Sequence, residues 1–187
     1  MTWTIFELNL LNAIQTIRNP ILDSFFIAIT SLGDASIFWI AFTLLCLSTK
    51  EYKNMGKIML IAFILNLLIV NLLLKNIVGR VRPYNYIDDF NLLIQKLSDG
   101  SFPSGHSSYA FSFATIVAYM GKGKAIKIFT GVLAILIAFS RLYLFVHFPT
   151  DVISGAIIGY LISYLIIKSY YLGKFKFIFT LFKLQSQ

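Results

Sequence analysis

Long apolar runs, broken at a few charged points, dominate the chain. Stretches 35–49, 57–78, 104–121, 125–146 and 150–172 are hydrophobic almost throughout. A helix needs roughly 20 apolar residues to cross a bilayer. The first of the five is short, and is expected to extend into 21–34. Lipid offers no partner to backbone polar groups, and the ten-residue alternation of a barrel is absent, so these runs predict helices. The N-terminal region reads differently. Trp3, Phe6, Leu10, Ile14 and Ile17 recur at three- and four-residue steps, which predicts an amphipathic helix over 2–18. Asn19-Pro20 ends it. A shorter apolar piece, Ile21 to Leu32, stops at Gly33-Asp34. Both pieces are expected in the outer interface, because a spanning first helix would set Arg18 in or near lipid. The predicted fold is all-α: a polytopic membrane bundle of about six helices, with five spans plus the amphipathic N-terminal region, forming one domain over 1–187.

Composition strengthens this picture. Hydrophobic residues make up 58% of the 187 and charged residues 13%, against about 45–50% and about 25% in soluble domains. The formal charge of +8 raises nucleic acid as a partner, but the placement of the charges argues against it. Ten of the twelve lysines fall in three clusters: Lys50, Lys53 and Lys57; Lys122, Lys124 and Lys127; Lys168, Lys174, Lys176 and Lys183. Each cluster flanks an apolar run, which is how a membrane protein marks its cytoplasmic face. The N-terminus has no basic region of the kind a signal peptide carries. The single cysteine, Cys46, excludes an intramolecular disulfide and reads as packing.

With the lysines inside, the remaining connections lie outside. Seven of the eight carboxylates then fall on the outer side or at its edge: Glu7, Asp23, Asp34, Asp88, Asp89, Asp99 and Asp151. Connection 79–103 carries Arg80, Arg82, Pro83 and Asp99, and leads into Pro103-Ser104-Gly105-His106. A second, near 141–151, carries Arg141, His147 and Asp151. Basic groups from three separate helix ends therefore gather on one face.

Each part permits a step of anion chemistry. Lys75 and Arg82 are seven residues apart, and share a side if their helix continues to Pro83. They suit an oxyanion, Arg as a planar fork and Lys as a point charge; alone, the pair equally fits snorkelling at a membrane edge. Ser104 is a good N-cap, and Gly105 lets a ligand approach the N–H groups of a helix start, a ready phosphate site. His106 sits beside that site as a candidate proton donor, although an ordinary capped helix start fits the tetrapeptide as well. Asp151, four residues after His147, can reach back to set the imidazole tautomer and leave the other nitrogen free to attack. A purely structural His–Asp contact is the plainer interpretation, weakened because both histidines of the chain fall on this face. Two histidines with carboxylates could also hold zinc. Lys75, Arg82 and Arg141 would repel a cation, so neither metal nor cofactor is expected.

Lys75, six residues, Arg82-Pro83; Pro103-Ser104-Gly105-His106; Ser140-Arg141, five residues, His147, three residues, Asp151: together these resemble the three-part signature of the type 2 phosphatidic acid phosphatase superfamily, in particular the bacterial membrane lipid phosphate phosphatases. The resemblance implies a metal-independent phosphatase. His147 would be the nucleophile forming a phosphohistidine, Asp151 its orienting partner and His106 the acid and base. Lys75, Arg82, Ser104, Gly105 and Arg141 would hold phosphate. It implies a phosphorylated lipid as substrate, membrane lipids as surroundings and an outward-facing site in a bacterial cytoplasmic membrane. Oligomeric state is not legible. One diphosphatase branch carries Asp in place of Gly105 and often lacks the lysine, so a glycerophospholipid monophosphate (phosphatidylglycerophosphate or phosphatidic acid) is favoured over undecaprenyl diphosphate. The same residues would also suit a lipid phosphotransferase or, with less to favour it, a non-catalytic anion or lipid transporter.

Outside the signature, Arg80 is expected to steer substrate or meet headgroups. Asn66 and Asn71 are expected to hydrogen-bond between helices, and Gly155 and Gly159 to allow close helix packing. Asp34 is a candidate cap or pocket residue.

Overall fold

The structure, a computed structural model, describes residues 2–33 and 37–173. Asp34, Lys174, Lys176 and Lys183 lie outside them. Helix α1 is Thr2–Gln15, α2 Pro20–Ser31 and α3 Ile37–Ser48. A long rod follows: α4 Lys53–Asn66 passes into a π-helical stretch, Leu67–Leu74, and ends as α5, Lys75–Val78. Then come α6 Gly105–Met120, α7 Lys124–Tyr143 and α8 Pro149–Tyr171. Asn19 ends α1 and starts α2: its side chain accepts from the N–H groups of Ile21 and Leu22 at 3.1 and 3.0 Å, with Pro20 in the first turn.

Among the described residues, three stretches are long and apolar enough to cross a membrane: Lys53–Tyr86, Lys124–Tyr143 and Pro149–Tyr171. The other two expected spans form helices of other proportions. The twelve residues of α3 extend about 18 Å at about 1.5 Å each, short of a core about 30 Å thick. The sixteen-residue α6 is the central helix, packed against α4, α7 and α8. Its apolar run fills a protein interior, and hydropathy alone does not separate that from a lipid-facing run.

The amphipathic pattern of α1 is turned outward. Trp3, Phe6, Leu10 and Ile17 are exposed, whereas Leu11 and Glu7 are buried against the bundle. Ile14, of the same predicted stripe, packs partly buried against the core. Both N-terminal helices lie on the end of α7. Gln15 Nε2 donates to the Tyr143 carbonyl at 3.0 Å. The Phe26 and Tyr143 rings sit 4.4 Å apart, and the Tyr143 hydroxyl donates to Asp23 at 2.6 Å.

Two devices lock the centre. Cβ atoms at Gly155 and Gly159 would overlap the carbonyl oxygens of Ser104 and Ser108, so α8 lies directly on α6 as the GxxxG spacing predicts. Asn66 then ties three helices together. Its Oδ1 accepts from Ser108 Oγ at 2.5 Å, its Nδ2 donates to Ser112 Oγ at 3.1 Å, and Ser112 meets Ser163 at 2.5 Å. Each buried polar group thereby gains a partner.

Candidate active site

The chain delivers Lys75 and Arg82 to one place by a turn, not by the continuous helix that their spacing suggests. Gly79 adopts φ +54, a left-handed cap, and its N–H donates to the Lys75 carbonyl at 3.0 Å. Arg82 is extended, with φ −77 and ψ 150, and Pro83 opens a short turn. Arg82 becomes a hub: it donates to the Asp99 carbonyl at 3.0 Å and the Val146 carbonyl at 2.8 Å, and its Nη1 lies 3.4 Å from His147 Nε2.

A second sharp turn aims His147. Phe145 holds φ +60, rare for a bulky residue, and its ring stacks on Phe90 at 4.4 Å. The packing holds the strained turn in place. His147 follows, 2% exposed. Its Nδ1 faces Asp151 Oδ2 at 3.7 Å, outside hydrogen-bond range. The Ser101 hydroxyl lies between them, 3.4 Å from Nδ1 and donating to Asp151 Oδ2 at 2.5 Å.

Asp151 is fully buried and multiply held. The Phe148 N–H donates to its Oδ2 at 2.8 Å, and Arg80 Nη1 donates to its Oδ1 at 2.6 Å. Arg80 therefore turns inward, with its side chain 22% exposed. It also donates to Thr150 Oγ1 at 2.7 Å and to Glu7 Oε2 at 2.5 Å, and lies 4.0 Å over the Phe148 ring. The N–H and hydroxyl of Thr150 donate to Glu7 Oε1 at 3.0 and 2.7 Å. Helix α1 is thus joined to the carboxylate behind His147.

Six of the eight expected site residues line one cavity of about 180 Å³: Lys75, Arg82, Gly105, His106, Arg141 and His147. Ser104 and Asp151 stand behind it, each 0% exposed. Ser104 caps α6, its Oγ accepting from the Ser107 N–H at 3.4 Å and hydroxyl at 3.0 Å. Its own N–H donates to the Asp151 carbonyl at 3.0 Å, joining the starts of α6 and α8. Arg141, 1% exposed, donates to Thr30 of α2. A Cβ on Gly33 would stand 2.5 Å from His106 Cδ2, so the end of α2 packs on that imidazole. Asn71 lines the cavity as well, and its buried Oδ1 has no hydrogen-bond partner among the described residues. It faces the cavity at the start of α6, and its Oδ1 makes no bond between helices there.

Sequence reasoning left Asp99 without a role. Its carboxylate bridges two cavity cations, accepting from Lys75 and, at 2.7 Å, from Arg82. Burial alone would raise its pKa; the two cations outweigh that and bring it down to about 2. Burial lowers His147 most, and Arg82 and Arg141 add to the effect against the pull of Asp151, leaving it at about 3. The imidazole is therefore neutral, the state a nitrogen nucleophile requires. Unfolded, it returns to about 6.5. The contribution of the neutral imidazole to stability is fully present above about 6.5 and is lost as pH falls from there towards 3, because over that range the unfolded chain binds the extra proton. Melting temperatures measured from pH 7 to 4 are expected to fall less steeply in His147→Gln than in the parent chain.

The comparisons with known proteins point the same way. The family model of the PAP2 superfamily matches residues 55–174. Phosphatidylglycerophosphatase B of Bacillus subtilis is 35% identical over 161 residues, 80% of this chain and 76% of that protein. An undecaprenyl-diphosphatase of Sulfolobus acidocaldarius is 32% identical over 127 residues, 68% of this chain and 61% of its own length. The crystal structure of Aquifex aeolicus LpxE superposes with a TM-score of 0.76 at 33% identity, covering 86% of this chain and 94% of that one. The family match spans every signature residue gathered at this cavity, and the chain belongs to the PAP2 superfamily as a membrane lipid phosphatase.

Proposed function

We propose that the protein hydrolyses the phosphomonoester of a glycerophospholipid, phosphatidylglycerophosphate or phosphatidic acid, through a phosphohistidine. The observation that carries this reading is the small cavity in which a neutral, buried imidazole meets three cations and a helix N-terminus. Lys75, Arg82, Arg141 and the Gly105 N–H hold the phosphoryl oxygens, while Ser104 fixes the helix start that presents that N–H. His147 Nε2 attacks phosphorus as the bond to the lipid alcohol breaks, and His106 gives the leaving oxygen its proton. His106 then takes a proton from water, which attacks phosphorus, frees His147 and yields inorganic phosphate. Asp151 holds the imidazole and balances the charge that it acquires. The three cations disfavour a divalent metal in the same space.

The monoester is favoured over a diphosphate by Gly105. A Cβ there would meet Asn71 Oδ1 at 2.9 Å, so an aspartate at this position would have to displace that side chain. Relatives are named for phosphatidylglycerophosphate, undecaprenyl diphosphate and lipid A; what these lipids share is a terminal phosphate on an apolar anchor. The site is read as facing outward. Glu51 pairs with Lys122 at 2.9 Å, joining two lysine-bearing loops at the end of the bundle opposite the cavity.

A substrate panel with purified protein in detergent tests this reading. Phosphate release is expected to be fastest from phosphatidylglycerophosphate or phosphatidic acid and unaffected by EDTA. A preference for undecaprenyl diphosphate, transfer of phosphate to another lipid, or loss with chelator would each replace the corresponding part of it.

A further inference from the structure

Asp99 stands between two cavities. Inside is the catalytic one; outside is a second, of about 350 Å³, and Lys75, Arg82, Leu97 and Asp99 line both. The carboxylate divides its oxygens, Oδ2 to Lys75 and Oδ1 to Arg82, as two oxygens of a phosphate would divide between the same cations. The three partners differ in freedom. The side chains of Arg82 and Lys75 are 2% and 9% exposed, while that of Asp99 is 49% exposed. The backbone beneath Asp99 is held: Arg82 donates to the carbonyls of Asp99 and Gly100 at 3.0 and 3.3 Å, and the Ser101 N–H donates to the Arg80 carbonyl at 2.8 Å. Rotation of one side chain into the outer cavity therefore removes the carboxylate from both cations without moving the chain, while Arg82 keeps its three carbonyl partners.

We propose that Asp99 is a displaceable internal anion that occupies Lys75 and Arg82 until a phosphomonoester arrives, and so sets a charge threshold that excludes phosphodiester lipids. The inference rests on the phosphatase reading of this cavity. A carboxylate carries one negative charge, and so does a phosphodiester. A phosphomonoester carries about −1.5 to −2 at neutral pH and gains more from the same cations. Bilayer lipids are mainly phosphodiesters, in large excess over any monoester lipid, and an internal competitor keeps them from filling the cavity. When turnover ends, the same carboxylate returns and helps to expel inorganic phosphate.

Asp99→Asn keeps the shape and removes the charge. The measurement is inhibition of the purified enzyme in detergent by inorganic phosphate and by phosphatidylglycerol. The inhibition constant for phosphate is expected to fall about ten-fold, as when the unblocked state rises from about a tenth of molecules to nearly all. Phosphatidylglycerol, a phosphodiester and the product expected from phosphatidylglycerophosphate, is expected to inhibit the parent enzyme weakly and the variant about ten-fold more strongly, in competition with substrate. Unchanged or weaker phosphate inhibition overturns the proposal, because a carboxylate that merely ordered the two cations would lose affinity on removal. Asp99→Ser serves if the asparagine variant does not fold. Stabilisation of the protein by phosphate in thermal unfolding reads the same contact without turnover. Failure of the phosphatase reading alone leaves the larger phosphate-induced shift in the variant. Failure of the Asp99 reading removes the difference between variant and parent.

Discussion

Replacing His147 with alanine is expected to reduce phosphate release from lipid by at least about 10³-fold, the usual scale for loss of a nucleophile. The imidazole is the nitrogen proposed as nucleophile, held between Arg82 and Asp151 and 2% exposed. Acid–base help from His106 and the three cations would remain, and would still bind phosphate. The variant should therefore retain phosphate-induced stabilisation while losing turnover. Labelling with radioactive substrate gives a second readout. The parent enzyme is expected to carry acid-labile, alkali-stable phosphate, and His147→Ala none. His106→Ala is expected to release phosphate slowly yet accumulate label when the leaving group is a good one, since water attack then limits. Turnover persisting in His147→Ala would sink the covalent mechanism, and a transporter would keep its transport in that variant.

The second large effect is expected at Arg80, outside the signature. Arg80→Ala removes the partner of two buried carboxylates, Glu7 at 1% exposure and Asp151 at 0%. Breaking a buried ion pair from one side costs about 3–5 kcal/mol, because a charge is left without compensation. The variant is expected to melt well below the parent chain in detergent, since that cost is a large fraction of the ordinary stability of a domain. Activity should fall as well, since Asp151 then loses the contact on its Oδ1 side and α1 loses its anchor. Arg80→Lys keeps the charge but not the fork that reaches Glu7, Thr150 and Asp151 together. It is expected to recover part of the stability and less of the activity. The double variant Glu7→Gln with Arg80→Ala should be less destabilised than the sum of the two single changes, because the charges fail together. Equal melting of Arg80→Ala and the parent would show that the network contributes nothing.

The candidate chemistry of this protein was legible in its sequence because the groups proposed to perform it are rare. Two histidines, four arginines and two lysines away from the three lysine clusters stand out against a chain that is 58% hydrophobic. Apolar runs require helices in lipid, and helices place Lys75, His106, Arg141 and His147 near helix ends. Lysine clusters then put those ends on one side. What the sequence concealed depends on direction and on close approach. Periodicity marked one face of α1 as apolar, but Trp3, Phe6 and Leu10 point away from the bundle and Glu7 lies in the protein interior. Spacing suggested a continuous helix from Lys75 to Arg82, where a left-handed Gly79 and an extended Arg82 make the turn instead. Asp99, 24 residues from Lys75 and 17 from Arg82, has no local pattern that reveals its partners. Arg80 and Asp151 are 71 residues apart, and only packing makes them neighbours. Composition and order along the chain determine which charges must share a membrane face; the tertiary fold decides which of them touch, because ion pairs form across distances that no helical or strand period encodes.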